Sequence, residues 1–213
     1  MTLHTQLSEG MHALGYNSSI ETTKLETKLL KYLALIQKWN EVHNLTAIRS
    51  SETMLTHHII DSLVVLPHIA GTKIADIGSG AGLPGIPIAI MKPDWRVTLI
   101  ESNSKKTAFQ QQAIIELELN NIEIISDRAE NYQTNTQFNT IISRALSSLN
   151  EFIIMSAHLG GNRKQNSRYV AMKANNVGQE IDNLPDGYSV DKIVPLSVPG
   201  LNAERHLIIV KQL

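Results

Sequence analysis

The sequence predicts an α/β fold: a seven-stranded, largely parallel sheet with its last strand antiparallel, preceded by an N-terminal helical extension. Three observations carry this. Residues 1–70 lack strand-like runs, whereas seven short β-rich apolar runs occur from Lys73 onward. The first five runs are separated by helix-length stretches, which implies right-handed parallel βαβ units. A glycine-rich loop directly follows the first run, where a strand turns into a ligand-facing helix. At 213 residues the chain only slightly exceeds an ordinary domain. The division expected is a helical cap over 1–70 and a core over 71–213, together forming one structural unit.

Each element has its own signal. Leu25, Leu29, Leu33 and Ile36 recur at helical spacing, with Leu30 widening the stripe, so 21–39 reads as an amphipathic helix. A second helix begins near Ser51, carries Leu55, Ile59 and Leu63 at four-residue steps, and stops before Pro67. The strands are 73–77, 96–101, 122–126, 139–143, 168–173, 189–196 and 206–211. A shorter polar segment joins the last two, which suits antiparallel pairing. Residues 160–167 form a polar loop.

The run Lys73-Ile74-Ala75-Asp76-Ile77-Gly78-Ser79-Gly80-Ala81-Gly82 places an acid and three alternate glycines at the end of the first strand. Two cofactors fit it. Gly80-x-Gly82-x-x-Gly85 matches a dinucleotide fingerprint, whereas Asp76 two residues before Gly78-x-Gly80-x-Gly82 matches the first motif of S-adenosylmethionine (AdoMet) methyltransferases. The second is favoured. A carboxylate beside a pyrophosphate is unfavourable, but it suits the ammonium and sulfonium of AdoMet. Glu101 ends the second strand roughly 20 residues past the loop, where an acid meets an adenosine ribose. That ribose belongs to both AdoMet and NAD.

Composition bounds the class. The chain is 42% hydrophobic and 18% charged, globular values that allow a sizeable core. It has no Cys, hence no disulfide and no thiolate metal site, which suits the cytosol. The segment from Met1 to Gly10 is polar and lacks the pattern of an export signal. No apolar run approaches the ~18 residues of a membrane span. A soluble, cytoplasmic protein is expected. The net charge of −1 means that any RNA contact must be local; candidate positions are Arg49, Lys105, Lys106, Arg144, Arg163, Lys164, Arg168, Lys173 and Arg205.

Five motifs then occur in order: Trp39-Asn40-x-x-x-Asn44-Leu45-Thr46, His58-Ile59-x-Asp61-Ser62, the loop from Asp76 to Pro87 ending Gly82-Leu83-Pro84-Gly85-Ile86-Pro87, Ser143-Arg144-Ala145, and Glu204-Arg205-His206. Together they resemble the bacterial small-subunit ribosomal RNA guanine-N7 methyltransferases, the glucose-inhibited division protein B family, from about residue 25 to the end. The resemblance implies a class I AdoMet-dependent, Rossmann-like core. It also implies methyl transfer from AdoMet to N7 of a guanine in 16S rRNA near the decoding centre, with naked rRNA or the small ribosomal subunit, including an assembly intermediate, as partner. AdoMet contacts carry over to Gly78, Leu83, Ala129, Glu130 and Arg144. In two places the chain departs from the family, with His57-His58 for Arg-His and Lys173-Ala174 for Lys-Gly.

The chemistry accounts for what the chain lacks. N7 of neutral guanine is an unprotonated acceptor, so attack on a sulfonium methyl needs no general base, and no catalytic His or Cys is expected. Positioning in near-attack geometry can supply roughly 7–11 kcal/mol. Arg144 and Lys173, at the carboxyl ends of the fourth and fifth strands, are the residues expected to act on cofactor or guanine edge. Asn44, His58 and Arg205 are the expected substrate contacts. Six of the eight His precede residue 71, but a His58 braced by Asp61, three residues away on one helical face, is expected in preference to a metal site. Asn44 is expected to cap a loop beside the cofactor mouth. A monomer is expected.

Two other functions remain open. One is an AdoMet-dependent methyltransferase of a small molecule or protein, although at 5% aromatic residues the chain is poor in material for a closed lid. The other is an NAD-dependent oxidoreductase, for which no Tyr-x-x-x-Lys proton donor stands near a strand end. An RNA substrate would use the polar cap and flanking basic residues for shape and phosphate recognition.

Overall fold

A computed structural model of the chain describes residues 1–144, 148–161, 167–174, 177–181 and 183–213. Its sheet has seven strands: β1 (Lys73–Ile77), β2 (Arg96–Ile100), β3 (Ile122–Ile125), β4 (Thr140–Arg144), β5 (Arg168–Lys173), β6 (Tyr188–Pro195) and β7 (His206–Gln212). Their order is β3-β2-β1-β4-β5-β7-β6. The first five pair in parallel, and β7 enters antiparallel between β5 and β6. All seven predicted strands are present within a residue or two of their expected limits. The order reverses at β1, so the carboxyl ends of β1 and β4 flank the crevice in which such sheets bind ligands.

Alternation along the strands splits the core in two. Ile74, Leu99, Ile142, Val170 and Leu207 join one buried cluster with the N-terminal helices. Ile77, Ile141, Tyr169 and Ile208 face the other way, onto Phe152 and Ile153. The period of two along each strand is the cause.

The N-terminal region holds three helices. Helix α1 is Leu3–Ala13 and α2 is Ile20–His43. Helix α3 covers 51–63 in three pieces: Ser51–Met54, a π-helical stretch Leu55–Ile60, and Asp61–Leu63. The predicted stripe on α2 is the buried one, with Leu29, Leu33 and Ile36 at most 1% exposed. Burying each is worth about 1.5–3 kcal/mol.

Helix α1 was not anticipated, although its signals are local. Thr2 caps it by accepting a hydrogen bond from the Thr5 amide, and Leu7 and Met11, one turn apart, are fully buried. It lies so close to α3 that a Cβ on Gly10 would meet Ile60 Cδ1 at 2.6 Å. The polar character of 1–10 belongs to the exposed face of this helix.

The π-helical stretch also differs from the uniform helix predicted for α3. Its hydrogen bonds run i→i+5, and α3 buries the polar set Thr56, His58, Asp61 and Ser62 beside Leu55, Ile59 and Leu63. No helix among the described residues is long and apolar enough to cross a membrane.

Candidate active site

The glycine loop leaves β1 with Gly78, Gly80 and Gly82 at φ of 63°, 59° and 83°, values that favour glycine. Six hydrogen bonds brace it. The Gly78 amide donates to Ile100 O at 2.9 Å, and the Gly80 amide donates to Glu101 Oε2 at 2.9 Å. Gln110 Nε2 donates to Ser79 Oγ and to Gly80 O, both at 2.8 Å. The Tyr32 hydroxyl, from α2, donates to Ala81 O. The Gly85 amide donates to Asp76 Oδ2 at 2.8 Å.

Asp76 therefore differs from expectation. It was predicted to face the cofactor's positive charges, yet it is fully buried beneath the loop, with one oxygen committed to Gly85. Burial pushes its carboxyl up to about 7, opposed by the Gly85 amide and the nearby Arg144. A Cβ on Gly85 would meet Leu99 Cδ2 at 2.3 Å and Asp76 Oδ2 at 2.8 Å. Asp76 and Gly85 fit together as a pair.

A Cβ built on Gly80, by contrast, finds only Gly78 O, at 3.9 Å. Gly80 also lines a cleft of about 220 Å³, with Thr46, His58, Gly78, Leu83 and Arg144 among the other lining residues. The cleft along the glycine loop leaves room for a nucleoside cofactor; Glu101 does not line it but holds the Gly80 amide that does. Glu101 is 7% exposed, and its other oxygen accepts the Asn103 amide at 2.9 Å.

A second cleft, of about 290 Å³, adjoins the first and shares His58 and Arg144 with it. Its other lining residues are Ile48, His57, Asp61, Met172, Lys173, Ala174 and Arg205. Arg144, at the end of β4, donates from Nη1 to His57 O at 2.9 Å and to Asp61 Oδ2 at 3.3 Å. Arg205, just before β7, donates from Nε to Asp61 Oδ1 at 3.2 Å. Lys173 pairs with Glu180 at 2.8 Å.

The expected brace of His58 by Asp61 is therefore corrected. Asp61 spends both oxygens on the two arginines, and His58 is held by Thr46 Oγ1, 2.9 Å from Nε2. Arg144 Nη2 lies 3.4 Å from His58 Nδ1. A guanidinium only donates, so Nδ1 accepts and the proton sits on Nε2. Burial and then Arg144 push the imidazole down to about 4, which leaves it neutral at physiological pH.

Asn44 caps α2 in the left-handed conformation, φ 50° and ψ 51°, and its Oδ1 accepts from Arg49 Nη2 at 2.7 Å. The buried Asn40 ties down the same loop by accepting the Thr46 amide at 2.9 Å and donating to Ile48 O at 3.0 Å. Asn44 is exposed and lines neither cleft.

Ala129 and Glu130 stand apart as well. Ala129 is buried beside Ile77 and Ile100 on the far side of the sheet, and Glu130 pairs with Arg128 at 3.6 Å. Neither lines the loop cleft. Of the basic candidates, Lys106 lines the loop cleft, Arg49 is committed to Asn40 and Asn44, and Arg163 and Lys164 lie outside the described residues. The sequence reading missed Asp61 and Thr46 as site residues, although both sit inside the motifs it singled out.

A β1 glycine loop over a 3-2-1-4-5-7-6 sheet, with an acid closing β2, defines a class I AdoMet-dependent methyltransferase fold. Solved structures share it. Magnesium protoporphyrin IX methyltransferase from Synechocystis PCC 6803, with bound AdoMet, superposes with a TM-score of 0.55 at 13% identity, over 85% of this chain and 97% of that one. TrmN from Thermus thermophilus gives 0.53 at 13% identity, over 72% of this chain and 48% of that one. At the level of sequence, residues 25–208 match the family model of rRNA small subunit methyltransferase G, and the chain belongs to that family. The ribosomal RNA small subunit methyltransferase G of Nitrosospira multiformis is 51% identical over 212 residues, 98% of this chain and 97% of its own length. Its counterpart in Chromobacterium violaceum is 47% identical over 211 residues, 98% of each chain.

Proposed function

We propose that this chain transfers a methyl group from AdoMet to N7 of a guanine in 16S rRNA, working as a cytoplasmic monomer on naked rRNA or an assembling small subunit. The observation that carries this reading is the pair of adjoining clefts with a shared wall of His58 and Arg144. Gly78, Gly80, Leu83 and Glu101 would hold the cofactor in the first cleft. AdoMet bound there supplies an electrophilic sulfonium methyl.

The chain's own work is then positional. Glu101 fixes the Gly80 amide and offers its carboxylate edge to a ribose. Asp76 acts from below by holding Gly85, which keeps the loop in register. In the second cleft, Ile48 and Met172 provide apolar surface for a flat base, while Arg144 and Arg205 supply donors for the O6 acceptor of a guanine. Lys173, held by Glu180, lines the same wall. No side chain need remove a proton from N7, and the neutral His58 is consistent with that. A base splayed from a loop is the form in which RNA presents such an edge.

Mapping N7-methylguanine by chemical strand cleavage in 16S rRNA from cells with and without the gene tests the reading. One site that vanishes with the gene and returns on treatment with purified protein and AdoMet supports it. An unchanged map sinks it.

A further inference from the structure

The carboxylate of Asp61 is a three-way junction between segments far apart in the chain. It stands in the last turn of α3, 4% exposed, and takes Arg144 on Oδ2 and Arg205 on Oδ1, partners 83 and 144 residues away. Both guanidiniums line the base cleft, and their side chains remain 20% and 18% exposed. Two cations on one small wall repel each other, and each loose Arg side chain has many rotamers to lose on being fixed. A single carboxylate between them answers both problems.

Arg144 and Arg205 are held differently. Arg144 is also tied to His57 O and faces His58, whereas Arg205 adds only the backbone carbonyl of Glu204, at 3.0 Å. Its Nη2 group has no partner among the described residues. Without Asp61, Arg205 would keep no side-chain anchor and the loop before β7 would lose its tie to α3. A whole buried ion pair adds little beyond an apolar substitute, although deleting one partner alone is destabilising; what this junction adds is placement, since both of its cations line the cleft.

From this geometry we infer that Asp61 is a positioning residue: it sets Arg144 and Arg205 as a fixed pair of donors, so that the helical extension governs how the target base sits against the core. The inference rests on the base-cleft reading above. A misplacement of about 1 Å at such a site can reduce turnover about 100-fold, and that is the scale expected here.

Asp61→Asn keeps the shape and removes the charge. Its kcat on 16S rRNA should fall between about 10- and 100-fold, with the KM for RNA and the AdoMet affinity by calorimetry little changed; the melting temperature should fall too, because two guanidiniums are left uncompensated, and adding Arg205→Gln should recover part of it without restoring kcat. Combining Asp61→Asn with Arg205→Gln should cost clearly less than the two single losses added together, because the two act as a unit, the remainder being the loosened Arg144. If Asp61→Asn does not fold, Asp61→Glu takes its place; it keeps the charge but moves it by one methylene, and the same split between kcat and AdoMet affinity is expected. A fall in turnover that tracks lost stability and adds to the effect of Arg205→Gln would make Asp61 structural only. Full activity in Asp61→Asn beside a damaged Arg205→Gln would overturn the positioning role and leave the cleft reading standing. Full activity in both Arg144→Ala and Arg205→Gln would remove the cleft reading itself.

Discussion

The amide of Gly80 donates to Glu101 Oε2 at 2.9 Å, joining the glycine loop after β1 to the acid that ends β2. One carboxylate thus shapes the loop, accepting the Gly80 amide on one oxygen and the Asn103 amide on the other. The link depends on Gly80 holding φ at 59°, a conformation that strains any branched residue.

Gly80→Val should fold, because nothing within 4 Å of its Cβ except Gly78 O opposes it, with a loss of about 1–2 kcal/mol from backbone strain. AdoMet binding, followed by calorimetry, should weaken at least tenfold as the side chain enters the cleft. Undiminished binding would rule out this loop as the cofactor cradle.

Arg144→Ala should reduce methyl transfer about 10- to 100-fold, the scale of a lost charged hydrogen bond of about 1.5–3 kcal/mol. Thermal melting should change much less, since Asp61 keeps Arg205 and His58 keeps Thr46. A variant that is fully active but clearly less stable would assign Arg144 to folding alone.

Single-turnover rates at saturating RNA and AdoMet should be nearly flat between pH 6 and 8. His58 sits at about 4 in the folded chain, below that window, and N7 has no proton to lose. A steep acid limb that disappears in folded His58→Gln would show that His58 accepts a proton in the reaction.

The same histidine shapes acid stability. Unfolded, it binds a proton near 6.5; folded, near 4. Its contribution is therefore complete above about pH 6.5 and is lost as the pH falls toward 4, by up to about 3 kcal/mol. Denaturant titrations of the wild type should steepen in pH dependence across that window, and His58→Gln should flatten it.

Asp76 has the opposite sign. Its folded value of about 7 lies above the ordinary 3.8, so stability declines as the pH rises from about 4 to about 7 and then levels. Asp76→Asn, which keeps an oxygen for the Gly85 amide, should gain on the wild type over that interval, with AdoMet affinity held within a few-fold. A large loss of affinity with intact folding would return Asp76 to direct contact with the cofactor.

The strands, the glycine loop and the acid at 101 were legible because each rests on local rules: alternation at period two, φ values that only glycine adopts easily, and a fixed spacing across one βαβ unit. The α2 stripe was legible for the same reason. Partner choice was not. Nothing local says that Asp61 turns from His58, three residues away, to Arg144 and Arg205, or that Thr46 takes His58 instead. Those pairings follow from α3 burying His58 and Asp61 together, and from β7 inserting beside β5, which carries Arg205 to the cleft. The place of Asp76 beneath its loop was decided in the same way, by the helix Gly85–Met91 packing on β1 with α2 against it. The sequence by itself determined the strands, the α2 stripe, the glycine loop and the family; tertiary packing decided which charges meet, because a buried charge takes whatever partner the whole fold brings within hydrogen-bond reach.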